Sequence, residues 1–170
     1  MTNQSPFACH ARRVTVTVAA VFAAIFIFSQ TTQAASWNGI EPLKSRRADV
    51  ERILGRPLPQ ESGGQQNTLR FKVAGGLVTV FFTDARFVKN KKLPADLEGT
   101  VLEVVLQHEN SSDTPESLGL PQKHEFKRDD QHGAIIYSNL RDGIVYTFIN
   151  NRLKTTRYSP STRELSRTQR

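Results

Sequence analysis

The spacing of apolar residues divides the chain into one apolar run, one helical stripe and a series of strands. Residues 14–28 are apolar apart from Thr15 and Thr17. Residues 46–54 place Val50, Ile53 and Leu54 at i, i+3 and i+4, one stripe of a helix, with Ser45 as the N-cap hydroxyl and Gly55 and Pro57 as the stop. From Leu69 the period changes to two. Leu69, Phe71 and Val73 alternate with Arg70 and Lys72, as in a half-buried strand. Ala74-Gly75-Gly76 then turns the chain into residues 77–83, which are apolar on both faces, so the pattern predicts an interior strand and a hairpin. After a long connection over 84–99, residues 100–107 read as a strand with Leu102, Val104 and Leu106 on one face.

A polar break over 109–121, with room for one helical turn at 115–118, leads into a second series. Strands are expected at 124–128, 134–139, 144–149 and 152–158, with a polar turn over 129–133 and turns at Asp142-Gly143 and Asn150-Asn151. The last strand carries Arg152, Lys154 and Arg157 and reads as a basic edge. The pattern thus predicts an α+β fold: one N-terminal helix, with a second short one, packed on antiparallel β-meanders in a single domain over 36–158. Residues 159–170 lack apolar periodicity and read as a loose basic tail. The elements Ile53-Leu54-Gly55-Arg56-Pro57 and Leu118-Gly119-Leu120-Pro121, each ahead of a meander, point to two similar α–β units over 36–108 and 114–158. One continuous sheet crossed by a single helix is the alternative. The helix is expected to lie on the sheet face bearing Leu77, Phe81, Leu102 and Val104, with Arg47 turned away from it.

Composition changes the picture first at the N-terminus. Arg12 and Arg13, the apolar run, and the small residues of Thr32-Gln33-Ala34-Ala35 are the parts of a secretory signal peptide over 1–35, with cleavage after Ala34 or Ala35. The run is shorter than the ~20 apolar residues of a spanning helix. The folded part is therefore expected in the periplasm or outside the cell, with membrane contact only through an uncleaved signal or weak basic surface contact. Cys9 is the one cysteine and precedes the run, so it forms no internal disulfide and does not sit where a lipoprotein is processed. A length of 170 residues allows one ordinary domain.

Lys and Arg total 23 against 16 Asp and Glu; without Arg12 and Arg13 the balance is 21 against 16. On an exported chain this excess points to anionic surfaces and not to nucleic acid. Lys89, Lys91 and Lys92 form a candidate patch for an anionic partner, and the plainer reading is a solvated loop. The chain has no dinucleotide, phosphate-loop, nucleophile-elbow or zincin motif, so no cofactor is expected. His10 and Cys9 fall within the signal peptide. His108 with Glu109, and His124, Asp129, Asp130 and His132 around one turn, are the residues a small hydrolase or a metal site would have to use. A solvated polar turn is the preferred reading of the second group. Phe81, Phe82, Phe87, Tyr137, Tyr146 and Phe148 read as strand packing before they read as a ligand box. Asn110-Ser111-Ser112 matches a glycosylation acceptor, from which nothing follows here.

Pro42-Leu43-Lys44-Ser45, the Asp49-Val50-Glu51-Arg52-Ile53-Leu54-Gly55 helix and Pro57, followed by hairpins, resemble small exported domains of the SmpA/OmlA (BamE-like) type and their β-lactamase-inhibitor-like relatives. The spacing from Trp37 through Gly39, Ile40, Pro42 and Leu43 to Ser45 also resembles a group of bacterial secreted proteins. The resemblance covers the helix and its flanks and departs from the outer-membrane lipoproteins in lacking their lipid-attachment cysteine. It implies a noncatalytic, protein-binding α+β module and transfers no functional residue. An exported interaction domain with a protein partner is the leading expectation. A small envelope hydrolase or metal-dependent enzyme built on His108, His124 and His132 is the alternative. A coat protein holding an anionic polymer through Lys89, Lys91, Lys92 and the Arg-rich tail is a third.

Overall fold

Alternation of apolar residues makes strands, but their order in the sheet is set by pairings between residues far apart in the chain. The computed structural model describes residues 35–59 and 66–169. The signal-peptide expectation for 1–35 lies outside these residues, apart from Ala35. The elements are α1 (Arg47–Leu54), β1 (Thr68–Val73), β2 (Gly76–Phe82), α2 (Ala85–Asn90), β3 (Val101–His108), β4 (Lys127–Gln131), β5 (Ala134–Asn139), β6 (Ile144–Ile149), β7 (Arg152–Tyr158) and α3 (Thr162–Thr168). Single 3₁₀ turns lie at Ala95–Leu97 and Leu120–Gln122. The strands form one antiparallel sheet in the order β1-β2-β3-β7-β6-β5-β4, so the fold is α+β.

The last strand is central and not an edge. β7 pairs with β6 on one side and, over Thr155 to Tyr158, with β3 on the other. Arg157 is exposed because one face of the sheet is open, a condition that a run of basic residues does not distinguish from an exposed edge, whereas Arg152 lies in the part of β7 that pairs with β6 alone.

The buried face is set by β1. Leu69 and Phe71 pair with Val80 and Val78, and these pair in turn with Val104 and Leu106. The face of β2 turned to α1 therefore carries Val78, Val80 and Phe82, and not Leu77 and Phe81. Apolar residues on both faces gave no parity by which to choose. A bulge matches Phe82 to Val101 and Phe81 to Glu103, which leaves Leu102 without a partner on β2 and brings Val101 into the core in its place.

Two clusters fill this face. The first joins Ile40, Val50, Leu69, Phe71, Val78, Val80, Phe82, Val101 and Val104, with Trp37, Ile53 and Leu54 packed against it. The second joins Leu120, Tyr137, Phe148 and Leu153, with Leu118, Phe126, Ile135 and Tyr146 beside it. The eight-residue α1 is too short to persist alone and is held by Val50, which is 0% exposed. Ser45 is not its N-cap: its hydroxyl accepts from Glu41 N at 2.9 Å and closes the preceding turn, while Arg46 takes the N-cap position and its N–H donates to Asp49 Oδ2 at 3.0 Å. Arg47 is not idle, because its guanidinium lies 5.1 Å from the centre of the Phe82 ring.

Three further elements differ from expectation. β4 starts at Lys127, three residues later than expected, and runs to Gln131. Every residue in it is exposed, so it has no apolar alternation and is held by backbone pairing to β5 about the His132-Gly133 turn, both of whose φ angles are positive. The 84–99 connection contains α2, capped by Asp84, whose Oδ1 accepts from Phe87 N at 2.6 Å. Within the tail expected to be loose, Ser161 caps α3: its hydroxyl accepts from Glu164 N at 3.1 Å, and Glu164 Oε2 accepts from Ser161 N at 3.2 Å.

Candidate functional site

The described residues cover one face of the sheet and leave the other open. On the open face, register places Arg70, Thr79, Val105, Arg157, Val145, Ser138 and Lys127 in one row across all seven strands. A parallel row runs Lys72, Leu77, Gln107, Thr155, Thr147, Ile136, Asp129. None of these residues is fully buried, whereas their neighbours on the covered face, such as Phe71, Val78, Val104, Thr156 and Tyr137, are. At ~4.8 Å between strands the row is about 29 Å long, and its cations Arg70, Arg157 and Lys127 recur about every 14 Å. Arg157 Nε meets Glu103 Oε1 at 2.5 Å. Burial raises the Glu103 pKa, and the Arg157 charge opposes that rise.

A second surface gathers at the end of the sheet where β2 stops and β3 starts. Thr83 and Thr100 tie the neck of the 84–99 excursion: Thr83 N donates to Thr100 O at 2.9 Å, Gly99 N to Thr83 O at 3.0 Å, and both hydroxyls donate to Leu97 O. Val88 and Leu93 anchor the excursion inside, which turns Lys89, Lys91 and Lys92 outward. The α3 helix joins them, because Gln169 Nε2 donates to Lys91 O at 3.0 Å. Its Arg167 lines a shallow cavity of about 230 Å³ with Leu43, Lys44, Glu164 and Thr168. Lys44 is held protonated by its bond to Glu41, with the Glu164 charge adding to the effect.

The histidines are not brought together. His108 ends β3 and its Nε2 lies 3.0 Å from Thr156 Oγ1 on β7. Burial lowers its pKa, and the Asp113 charge works the other way. The Asp113–His108–Thr156 arrangement has the residue types of a hydrolase, but the Thr156 residue is buried, which shuts its hydroxyl away from any substrate. His124 lies in the turn after the Leu120–Gln122 3₁₀ element, His132 lies in the β4–β5 turn, and Asp130 is occupied by Arg128 Nε at 3.1 Å. Glu109 pairs with Lys72. Among the described residues no group of three or more His, Cys, Asp or Glu is arranged to hold a metal ion. A cavity of about 200 Å³ opens beside His108, lined also by Trp37, Gly76 and Leu106. Of the aromatic residues, Phe82, Tyr137 and Phe148 are buried packing, with the Tyr137 and Phe148 rings edge to face at 6.1 Å, while Phe81 and Phe87 line a groove with Leu102.

The sheet and its open face define an α+β domain with a wide exposed surface. No protein-family profile matches the chain, and no curated protein matches it. Among solved structures it is similar to YjgB, a DUF4309 family protein from Bacillus subtilis, with 14% identity and a TM-score of 0.40 over 72% of this chain and 83% of that one. That level of likeness defines no family for the chain.

Proposed function

We propose that this chain is an exported, noncatalytic interaction domain of the cell envelope, made of two similar α–β units and related to the SmpA/OmlA type, which holds a protein partner on the open face of its sheet. The observation that carries this is the pair of cross-strand rows, in which Thr79, Val105, Val145, Thr147 and Ile136 stand half-exposed with no described element laid over them. Read outward from the β3–β7 seam, the strands run β3, β2, β1 on one side and β7, β6, β5 on the other, which supports two units with β4 as an addition. The basic, apolar and small-residue succession over residues 12–35 supports export.

The face is roughly 29 Å by 20 Å, about 600 Å², near the ~800 Å² that each partner contributes to an ordinary interface. Its central residues are β-branched and its charge is mostly positive, so the complementary partner is a protein with a flat apolar centre and an acidic rim. The hydrolase alternative draws no support from the scattered positions of His108, His124 and His132.

The test compares proteins captured from envelope extract by the exported chain and by the Arg70→Glu, Lys127→Glu double variant. A partner should bind the first and be lost by at least about tenfold with the second, since like charges placed across an interface cost several kcal/mol. If the double variant captures the same proteins in the same amounts, the open face is not the binding surface.

A further inference from the structure

We propose a second docking surface, independent of the open sheet face: the α3 end of the molecule binds an anionic lipid surface. Leu140, in the β5–β6 turn, is 63% exposed, the most exposed large apolar residue among those described. Its carbonyl accepts from Thr162 N at 3.1 Å and from Thr162 Oγ1 at 2.9 Å, which fixes the start of α3 beside it. The other end of α3 is fixed to the lysine loop by the bond from Gln169 Nε2 to Lys91 O. With a rise of 1.5 Å per residue, the seven steps from Thr162 to Gln169 set the Leu140 and Lys91 attachment points about 11 Å apart along the helix.

The cations on this surface are set apart by their grouping, since Lys123, Lys127, Arg152 and Lys154 elsewhere also lie outside any ion pair among the described residues. Lys44, Arg52, Lys72, Arg128, Arg141 and Arg157 each have a carboxylate within ion-pair reach. Lys89, Lys91, Lys92 and Arg167 make no ion pair among the described residues, and all four are exposed. Three of them fall within four consecutive positions, on an excursion whose neck is tied by Thr83 and Thr100, so the loop cannot simply spread to relieve their repulsion. An anion brought to them removes that repulsion. Cations alone would suit any soluble polyanion, but an exposed apolar side chain in the same surface suits a headgroup layer, where the side chain enters the acyl boundary while the cations meet phosphates.

The test uses the chain as cells export it, sedimented with phosphatidylcholine vesicles with and without phosphatidylglycerol. An N-terminal apolar run would bind both kinds of vesicle, so the reading is the increment due to the anionic lipid. That increment should fall steeply with added salt, and roughly 100-fold in the Lys89→Ser, Lys91→Ser, Lys92→Ser triple variant, since each basic residue near such a surface contributes about fivefold. Leu140→Ser should weaken vesicle binding while leaving binding to soluble polyphosphate unchanged. All four residues are exposed, and unchanged thermal midpoints would show the variants to be folded. Absence of any anionic-lipid increment overturns the proposal. So does a Leu140→Ser variant that binds vesicles as the parent does, which would mean a soluble polyanion site instead of a lipid surface. Failure here leaves the open-face reading standing, because Arg70 and Lys127 take no part.

Discussion

The two halves of the sheet share a strand order but not a core. Beside the β3–β7 seam, β1 to β3 are covered by α1 and the Trp37–Ile40 lead-in, with nine buried residues in one cluster. Among the described residues, the strands β5 to β7 are covered by the 3₁₀ element around Leu120 and its flanks, with four buried residues. Seven strands paired without interruption therefore do not imply uniform stability. Backbone pairing gives continuity, and α1 with the lead-in closes the larger apolar core over the first half.

Three measurements break or sharpen that comparison. Phe71 and Phe148 are the largest side chains at 1% and 0% exposure, one in each cluster. Phe71→Ala should cost about 4 kcal/mol in urea unfolding and Phe148→Ala nearer ~3, because the smaller cluster collapses more readily around the hole. Their effects should add, since the clusters share no residue. Equal costs would remove the asymmetry. Removing the α3 cap by Ser161→Ala should cost about 1 kcal/mol, and more rapid amide exchange confined to Thr162–Thr168 and its neighbours would show that α3 frays separately from both cores.

The smallest effect tests the seam. Burial favours the neutral form of His108 and lowers its pKa from 6.5, so the unfolded chain takes up this proton before the folded one does. The resulting stability is present above pH 6.5 and is lost as pH falls from there towards the folded value. In melts followed against pH, the parent should drop more steeply than His108→Gln below about 6.5 and run parallel to it above. Identical curves would mean that the bond to Thr156 carries no pH dependence across the seam.

Local chemistry was legible and long-range placement was not. The bounds of β5, β6 and β7 follow from alternation and from turns at Asp142-Gly143 and Asn150-Asn151. Neither the central place of β7 nor the covered face of β2 could be read, because pairs such as Val104 with Tyr158 leave no trace in a local pattern. β4 was misplaced for the opposite reason: an exposed edge strand with the sequence Lys-Arg-Asp-Asp-Gln has nothing to alternate. The α3 helix did carry a signal in Ser161 and Glu164, three apart, but one half-buried leucine, Leu165, makes no stripe. Of the basic end, Lys89, Lys91 and Lys92 stand together in the sequence. Arg167 joins them only through the contact between Gln169 and Lys91.

The position of β7 also fixes the order in which the molecule can be completed. A chain made from its N-terminus has β3 and β6 in hand while the strand that must lie between them is still missing, so two raw edges wait on residues 152–158. Contacts across so long a span of chain form slowly, and species with open edges associate with one another. A chain stopped short of residue 152 is thus not a smaller version of the domain but a pair of adhesive ribbons, and the final strand works as the fastener that makes them one body.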